Sequence, residues 1–324
     1  MPLRDYVIFE KEFIDFRTPI PHQNSAMQIS KTISEIRFHL EQERNLGKKI
    51  ALIPTMGALH EGHLSLVKKG KEIAEIVVVS IFVNKAQFND SSDYKKYPRQ
   101  VDEDLEKLKK SGATHIFLPQ DSEIFSDNFS FKIVPTRLTD CLCGSARPGH
   151  FDGVAMIVVK LFNIVKPDVA IFGEKDFQQL AIIKKLVEDL NFEIEIVSHE
   201  TMREKSGLAM SSRNQRLSDI AKIKASELFR MLLEIKDEAK NNATNYTKIL
   251  SDKKEKLLQT GFEKIDYLEI RDETSLELFS VTHSDNNSNS SFVPNMIEDA
   301  KLVKYRLFVA AYLEGVRLID NIAL

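Results

Sequence analysis

Strand-like and helix-like segments alternate between residues 29 and 197, and this alternation constrains the fold more than any other feature. Segments with the composition of short buried strands occur at 49–54, 76–82, 115–118, 168–172 and 193–197. Segments with a helical spacing of apolar residues occur at 29–40, 61–73, 101–111, 153–163 and 178–190. Such alternation predicts βαβ units, in which a parallel sheet carries helices on both faces. We therefore predict an α/β fold whose ligands bind beyond the carboxyl ends of the strands.

The composition changes after residue 201, where long charged helices precede strand-like segments. Helical patterns cover 220–240 and 246–260, and strand patterns cover 263–271, 302–313 and 316–320. This predicts a small C-terminal α+β domain at 202–324, beside a larger domain at 27–201. Residues 1–26 have no clear period and form an N-terminal extension. The polar low-complexity stretch at 284–291 predicts a mobile loop.

Composition and charge exclude several classes of function. The 324 residues include 45 basic and 48 acidic side chains, and the net charge of −3 favours neither nucleic acid nor an anionic membrane as a partner. The apolar runs at 76–83 and 154–165 are too short to span a bilayer, and charges within residues 1–16 break any signal-peptide core. Cys141 and Cys143 are too close for an ordinary disulfide, which favours a reducing, cytoplasmic compartment.

The strongest functional signal is His60-Glu61-Gly62-His63, which follows a buried strand and a glycine turn and opens a helix. Residues three apart share a helical face, so both imidazoles project from the helix N-terminus, where backbone N–H groups favour phosphate. We predict that they stabilise charge at the α-phosphate of a nucleotide. The plain alternative is a pair of surface histidines. A zinc site is a weaker one, because the spacing is not His-Glu-x-x-His and no third ligand is evident.

A second polar cluster, Gly173-Glu174-Lys175-Asp176, directly follows the strand at 168–172. In a nucleotide site Lys175 would bind phosphate, and Asp176 would bind a ribose hydroxyl or a lysine. A charged surface turn is the alternative interpretation. The position at the carboxyl end of a strand favours the functional one.

A third cluster, Met210-Ser211-Ser212-Arg213-Asn214, follows Gly207. Its two hydroxyls and its guanidinium can bracket the β- and γ-phosphates of a nucleotide, and a loop that contains glycine can close over them. The alternative is a serine N-cap next to a solvated arginine.

Amide side chains predict a pocket for a polar substrate. Asn84 and Gln87 follow the strand at 76–82, and Gln179 lies across the predicted sheet. Together they would hold hydroxyl groups or a carboxylate without adding charge, and the alternative interpretation is polar residues that form turns. The segment 147–153, Arg-Pro-Gly-His-Phe-Asp-Gly, leads into the next helix and is interpreted either as a substrate-facing loop or as a simple turn.

Taken together, these motifs resemble the pantothenate synthetase (pantoate–β-alanine ligase) family, over residues 27–324. The resemblance rests on eight sequence motifs: Pro54 to His63, Ser80 to Asn84, Arg147 to Phe151, Lys160 to Val165, Phe172 to Asp176 with Gln178 and Gln179, Gly207 to Asn214, Tyr267 to Asp272 and Leu318 to Ile322. The set is specific, whereas a lone His-x-Gly-His is not.

The resemblance implies a fold, a reaction and partners. The fold is a Rossmann-like nucleotidyltransferase domain with a parallel sheet, followed by a small C-terminal lid domain. The reaction has two steps: the carboxylate of pantoate attacks the α-phosphate of ATP to give pantoyl-adenylate and pyrophosphate, and the amine of β-alanine then displaces AMP. Members use Mg²⁺, which we expect on the ATP phosphates rather than on protein ligands, and they are typically cytoplasmic homodimers.

The resemblance also implies roles for individual residues. The residues implied in ATP binding are Met56, Gly57, Ala58, Leu59, His60, Glu61, Gly62, His63, Gly173, Glu174, Lys175, Asp176, Met202, Met210, Ser211, Ser212 and Arg213. Those implied in the chemistry are His60, His63, Lys175, Ser211, Ser212 and Arg213, with His63 as proton donor. Gln87 and Gln179 would hold pantoate beside Asn84, and Gln87 would also lie near β-alanine. The backbone of Met202 would contact the adenine.

The sequence departs from the family pattern at a few positions. Lys85 replaces the usual proline after Asn84, and Ser206 replaces the usual aspartate before Gly207. Two other functions remain as alternatives: a plain adenylyl- or cytidylyltransferase, and a nucleotide-binding protein without enzymatic activity. An aminoacyl-tRNA synthetase is disfavoured, because the chain has no basic surplus and no evident tRNA-binding domain.

Overall fold

The computed structural model describes residues 27–241, 246–279, 297–298, 301–302 and 304–324. The predicted N-terminal extension at 1–26 and the predicted loop at 284–291 lie outside these residues.

Within the described chain, six strands form one parallel sheet. They are β1 (Gln28–Ser30), β2 (Ile50–Thr55), β3 (Ile76–Ile81), β4 (His115–Phe117), β5 (Val169–Gly173) and β6 (Glu195–His199). Their order is β1-β4-β3-β2-β5-β6, and every neighbouring pair is parallel. The predicted α/β fold is confirmed.

Helices connect the strands and continue into the C-terminal part of the chain. They are α1 (Ile33–Asn45), α2 (Glu61–Ile73), α3 (Ser91–Lys96), α4 (Val101–Ser111), α5 (Asp121–Ile124), α6 (Leu142–Ala146), α7 (His150–Val165), α8 (Phe177–Asp189), α9 (Asp219–Ala225), α10 (Glu227–Asn241) and α11 (Tyr246–Gln259). Short 3-10 helices cover Lys85–Gln87, Glu174–Asp176 and Ser212–Arg216. None of the described helices has the length and apolar character needed to cross a bilayer.

Side chains of the central strand β2 alternate between two apolar cores. Ile50 and Leu52 belong to the core that contains α1, α7 and α8, whereas Ala51 and Ile53 belong to the core that contains α2 and α4. Successive residues of a strand point to opposite faces, so a strand buried on both faces must be apolar throughout. The continuous apolar run in the sequence is thereby explained.

The C-terminal part contains a three-stranded antiparallel sheet with the order β11-β10-β7, made of β7 (Lys264–Asp272), β10 (Tyr305–Leu313) and β11 (Val316–Ala323). Two short strands, β8 (Ile297–Glu298) and β9 (Lys301–Leu302), pair with each other. Tyr267 and Phe308 belong to the same core as α7 and α8, while Leu268 and Val309 belong to a core with α10. The sheet is therefore packed on both faces, and the division at residue 201 stays a prediction.

Two predicted helices differ from the structure. Residues 28–30 form an edge strand instead of the first helical turn, because Thr32 caps the helix in a reciprocal capping box with Glu35, and α1 begins only at Ile33. The predicted helix at 220–240 is two helices separated at Ser226, whose hydroxyl donates to the Ile223 carbonyl. The short helices α3, α5 and α6 were not predicted.

Candidate active site

A cleft opens where the strand order of the parallel sheet reverses. The chain runs from β2 through β3 to β4 on one side and from β5 to β6 on the other, so the reversal lies between β2 and β5. Open α/β sheets bind their ligands beyond the carboxyl ends of the strands at this point. The cleft is bordered by the segments that follow β2, β3, β5 and β6.

Most of the predicted site residues line this cleft. They are Met56, His60, Gly62, His63, Asn84, Gln87, Gly173, Lys175, Asp176, Gln179, Met202, Met210, Ser211, Ser212 and Arg213. The predicted residues Gly57, Ala58, Leu59, Glu61 and Glu174 are not among those that line it. Ala58 and Leu59 are buried, Glu61 is exposed, and Glu174 lies 3.5 Å from Arg306.

The two histidines of the His-x-Gly-His motif are held by backbone N–H groups. The Nδ1 atom of His60 accepts from the Gly62 nitrogen at 3.2 Å, and the Nδ1 atom of His63 accepts from the His60 nitrogen at 3.3 Å. The ring centroids are 4.1 Å apart. A neutral imidazole whose Nδ1 accepts a hydrogen bond carries its proton on Nε2. Each ring therefore has an Nε2–H group left to donate to a ligand.

Both imidazoles are neutral at pH 7 in the protein without ligand. Burial, with a contribution from the Lys175 ammonium, lowers the pKa of His60 to about 4. Burial, His60 and Lys175 also lower the pKa of His63 well below its usual value. A negative charge close to an imidazole has the opposite effect, because it stabilises the protonated form. An anionic ligand would therefore raise both pKa values.

The turn that carries the histidines is braced by a buried carboxylate of α4. Asp104, which is 1% exposed, accepts from the Ala58 nitrogen at 2.8 Å and from the Leu59 nitrogen at 2.7 Å. Gly57 and Ala58 both adopt left-handed backbone conformations, with φ values of 78° and 52°. A Cβ atom at Gly57 would lie 3.0 Å from the Asp104 carboxylate, so the turn requires glycine there.

Lys175 supplies positive charge on the β5 side of the cleft. It belongs to the 3-10 helix that follows β5, and its Nζ atom is 3.7 Å from the carboxylate of Asp176. Its side chain is 20% exposed, so the ammonium is partly shielded yet open to a ligand. Its charge contributes to lowering the pKa values of both His60 and His63. The lysine and the histidine pair therefore act on the same part of the cleft.

The turn at 210–213 is tied to the segment after β3. The Ser211 hydroxyl caps the following 3-10 helix by accepting from the Arg213 nitrogen at 3.2 Å. The Ser212 hydroxyl lies 3.2 Å from the Tyr97 hydroxyl, and the Arg213 guanidinium donates to Asp93 at 2.9 Å. The alternative interpretation of this segment was a serine N-cap next to a solvated arginine. The serine N-cap is present, but Arg213 forms an ion pair with a carboxylate and is not simply solvated.

Asn84 and Gln87 form a connected amide pair, but only Gln87 is available to a ligand. The buried Asn84 donates from Nδ2 to the Gly153 carbonyl at 2.9 Å and to the Gln87 Oε1 atom at 3.0 Å. Gln87 in turn lies 3.1 Å from the Met56 sulfur. A Cβ atom at Gly153 would lie 2.4 Å from the Ala86 carbonyl oxygen, so glycine permits this close approach of α7.

Part of the segment 147–153 borders the cleft, and its substrate-facing role stays a prediction. Helix α7 begins at His150, earlier than predicted, and both Arg147 and His150 line the cleft. The carbonyl of Gln87 accepts from His150 Nδ1 at 2.7 Å and from Arg147 at 3.2 Å. Burial and the Arg147 charge lower the pKa of His150 to about 3.

An apolar wall adjoins these amides. It comes mainly from successive turns of α7, and its members are Val154, Ile157, Val158 and Leu161. A cleft with a cationic polar end and an apolar wall beside amides suits a ligand that has both a polyanionic and a branched aliphatic part.

Sequence reasoning missed several residues that hold the site residues in place. Asp104 accepts hydrogen bonds from the histidine turn, Asp93 forms an ion pair with Arg213, and the Tyr97 hydroxyl is hydrogen-bonded to the Ser212 hydroxyl. Each lies far along the chain from the group that it contacts, on a segment whose charges look like an ordinary solvated helix face. No local pattern distinguishes them.

A doubly wound parallel sheet with this cleft at its switch point defines an α/β protein of the Rossmann-like class. The family model for pantoate-beta-alanine ligase matches residues 28–323. The chain therefore belongs to the pantoate–β-alanine ligase family, the pantothenate synthetases, and is an enzyme of this ligase class.

Individual relatives agree with this assignment. The pantothenate synthetase of Pseudomonas paraeruginosa is 42% identical over 299 residues, which cover 92% of this chain and 99% of that protein. That of Caldicellulosiruptor saccharolyticus is 40% identical over 296 residues, covering 91% and 99%.

Solved structures of relatives share the fold. Pantothenate synthetase from Thermus thermophilus superposes with a TM-score of 0.79 at 36% identity, covering 91% of this chain and 99% of that one. Pantoate-beta-alanine ligase from Francisella tularensis, complexed with beta-gamma ATP and beta-alanine, gives a TM-score of 0.71 at 33% identity, covering 92% and 98%.

Proposed function

We propose that this protein condenses pantoate with β-alanine in an ATP-dependent reaction that passes through pantoyl-adenylate. The observation that carries the proposal is the meeting, in one cleft, of phosphate-binding groups with an amide-lined apolar pocket. Membership of the ligase family supports it. The Francisella relative, solved with beta-gamma ATP and beta-alanine, supports ATP and β-alanine as substrates.

In the first step, a carboxylate oxygen of pantoate attacks the α-phosphorus of ATP, and the bond to pyrophosphate breaks. The Nε2–H groups of His60 and His63 donate to the α-phosphate oxygens as their charge grows. Lys175 and Arg213, with the Ser211 and Ser212 hydroxyls, bind the departing pyrophosphate. On the resemblance we assign Asp176 to the ribose and the Met202 backbone to the adenine.

The pantoate pocket would combine amides with the apolar wall. Gln87 and Gln179 form hydrogen bonds with the hydroxyl and carboxylate groups of pantoate. Asn84 orients Gln87 by donating a hydrogen bond to its Oε1 atom. The paired methyl groups of pantoate fit the branched side chains of Val154, Ile157 and Val158. This arrangement presents the carboxylate to the α-phosphate.

In the second step, the amine of β-alanine attacks the acyl carbon of the adenylate. The bond to the phosphate oxygen of AMP breaks, AMP leaves as a phosphate anion, and the amine loses a proton to water as the amide forms. On the resemblance, β-alanine would approach beside Gln87, whose backbone carbonyl accepts from Arg147 and His150.

Magnesium would enter with ATP. Among the described residues, no cluster of three or more His, Cys, Asp or Glu side chains is arranged to hold a metal ion. Mg²⁺ is commonly bound through substrate phosphates with few protein ligands, so we propose the ATP phosphates as its ligands here. In that position it would neutralise phosphate charge.

A homodimer in the cytoplasm stays a prediction from the resemblance. Size-exclusion chromatography with light scattering tests the first part, and a monomer at micromolar concentration would contradict it. Fractionation of the source cells tests the second.

The decisive experiment is exchange of labelled pyrophosphate into ATP. We expect exchange only when pantoate is present, before any β-alanine is added. His63→Ala should lower the exchange rate about 10²–10³-fold, because it removes a donor to the transition state. His39→Ala, a histidine on α1 outside the cleft, is the matched control and should leave the rate unchanged.

Two outcomes would defeat the proposal. Exchange that proceeds equally without pantoate would show that pantoate is not the activated acid. A stable nucleotide conjugate as the final product, in place of an amide with AMP, would identify a plain nucleotidyltransferase instead.

A further inference from the structure

The last strand of the chain reaches into the turn that carries Lys175. Asn321 of β11 is 3% exposed, and its Nδ2 atom donates to the carbonyl oxygens of Glu174 at 3.0 Å and of Lys175 at 2.9 Å. Its Oδ1 atom accepts from the Arg306 guanidinium at 2.6 Å. Both polar atoms of the amide are therefore used, and two of its bonds define the backbone position of Lys175.

The preceding residue of the same strand holds the other side of the cleft. Asp320, which is 4% exposed, pairs through both oxygens with Arg203, at 2.6 and 2.9 Å. Arg203 also donates to the Gly207 carbonyl at 3.1 Å, and its guanidinium lies 3.6 Å from the centre of the Phe229 ring. Arg203 and Ala209 pair in an antiparallel bridge, and the hairpin at 202–210 that contains this pair leads directly into the turn at 210–213.

The two contacts form one unit. The Asn321 nitrogen donates to the Asp320 carboxylate at 2.8 Å, and both residues lie in the paired part of β11. A single strand segment therefore contacts both the Lys175 turn and the hairpin. Neither Asp320 nor Asn321 donates to a substrate in the proposed reaction, so any effect on the rate must pass through the groups that they hold.

We infer that Asp320 and Asn321 are positioning residues, which set the spacing between the Lys175 ammonium and the turn at 210–213 around the triphosphate. This inference rests on the proposed function. Misplacement of a charge by about 1 Å can slow a positioned reaction by up to about 100-fold. Buried hydrogen bonds to backbone carbonyls are suited to prevent such movement, because they fix the chain itself.

The test measures pantoate-dependent pyrophosphate exchange by the full-length protein. Asn321→Asp keeps the size of the side chain and its acceptor for Arg306 but removes both donors to the Lys175 turn. We expect kcat to fall about 10- to 100-fold, with KM for pantoate unchanged. In a Lys175→Ala background the same substitution should cause no further loss, because the group that it positions is absent.

The variant Asp320→Asn is a second, independent test of the inference. It removes the ion pair with Arg203 and should lower kcat in the wild-type and Lys175→Ala backgrounds, with a smaller loss in an Arg213→Ala background, where one of the positioned groups is absent. Should Asn321→Asp fail to fold, Asn321→Ser, which retains a single donor, replaces it with a smaller expected loss. Ile235→Val, in the fully buried core of α10, controls for stability: it should lower the melting temperature without changing kcat.

The outcomes separate the two claims. A wild-type protein without pantoate-dependent exchange would overturn the proposed function and this inference with it. Normal wild-type exchange with an unchanged kcat in Asn321→Asp would overturn the inference alone. So would equal losses in the wild-type and Lys175→Ala backgrounds, since these would indicate a general structural role.

Discussion

The Oδ1 atom of Asp104 lies 2.7 Å from the backbone nitrogen of Leu59, immediately before the histidine pair. Its Oδ2 atom accepts from the Ala58 nitrogen in the same way. One carboxylate thus binds two successive N–H groups of a turn that runs through two left-handed residues. A buried carboxylate is costly unless it is hydrogen-bonded, and here two N–H groups of the turn donate to it. The position of His60 therefore depends on a residue of α4.

Asp104→Asn should weaken both the fold and the reaction. The amide keeps one acceptor but turns an NH₂ group toward the second N–H, so one buried donor is left unsatisfied. We expect a loss of about 1–3 kcal/mol in the free energy of unfolding, measured by urea denaturation, and slower pyrophosphate exchange. Asp102→Asn, an exposed change on the same helix, is the matched control. If the two variants had the same free energy of unfolding and the same exchange rate, the hydrogen bonds from Asp104 to the turn would be dispensable.

ATP binding should take up protons near pH 6. The pKa of His60 is about 4 and that of His63 is also well below its usual value, so both rings start neutral, and phosphate charge beside them raises both values. Calorimetry of ATP binding without pantoate, in two buffers of different ionisation enthalpy, measures the uptake. We expect different heats for the wild type and equal heats for the double variant His60→Gln, His63→Gln. Equal heats for the wild type would show that the phosphates bind elsewhere.

Acid sensitivity should depend in part on His115, which is remote from the cleft. Burial lowers its pKa from 6.5 to about 4 in the folded protein. Between these values the unfolded chain binds more protons than the folded one, so stability is lost as the pH falls from 6.5 toward 4. His115→Gln should reduce the stability difference between pH 7.5 and pH 4.5 by about 2 kcal/mol, measured by urea unfolding at both pH values. An unchanged difference would contradict this assignment.

Lys85→Pro should stabilise the protein without changing its substrates. Lys85 is exposed, opens the 3-10 helix Lys85–Gln87, and follows Asn84 in an extended conformation that proline tolerates. We expect a gain of about 0.4–1 kcal/mol in the free energy of unfolding, because the unfolded chain loses freedom. KM for pantoate should not change. A clear shift in that KM would show that the lysine charge reaches the substrate.

The sequence by itself determined the sheet and the clusters at its edge. Apolar runs such as Ile50 to Ile53 predict strands buried on both faces, and polar motifs directly after them predict groups at the carboxyl ends. Both are local signals, carried by consecutive residues, so they could be identified without the fold. The edge strand Gln28–Ser30 was mistaken for a helix, since three residues give too short a pattern.

Only the tertiary structure decided how the site is held in place. Asp104, Asp93, Asp320 and Asn321 act on backbone or side-chain groups that lie 45 to 147 residues away along the chain. Their partners are specified by the packing of α4, α3 and β11 against the cleft, and no local spacing records it. The sequence alone therefore predicts phosphate binding at the His60–His63 motif, whereas the contacts that position the motif required the folded chain.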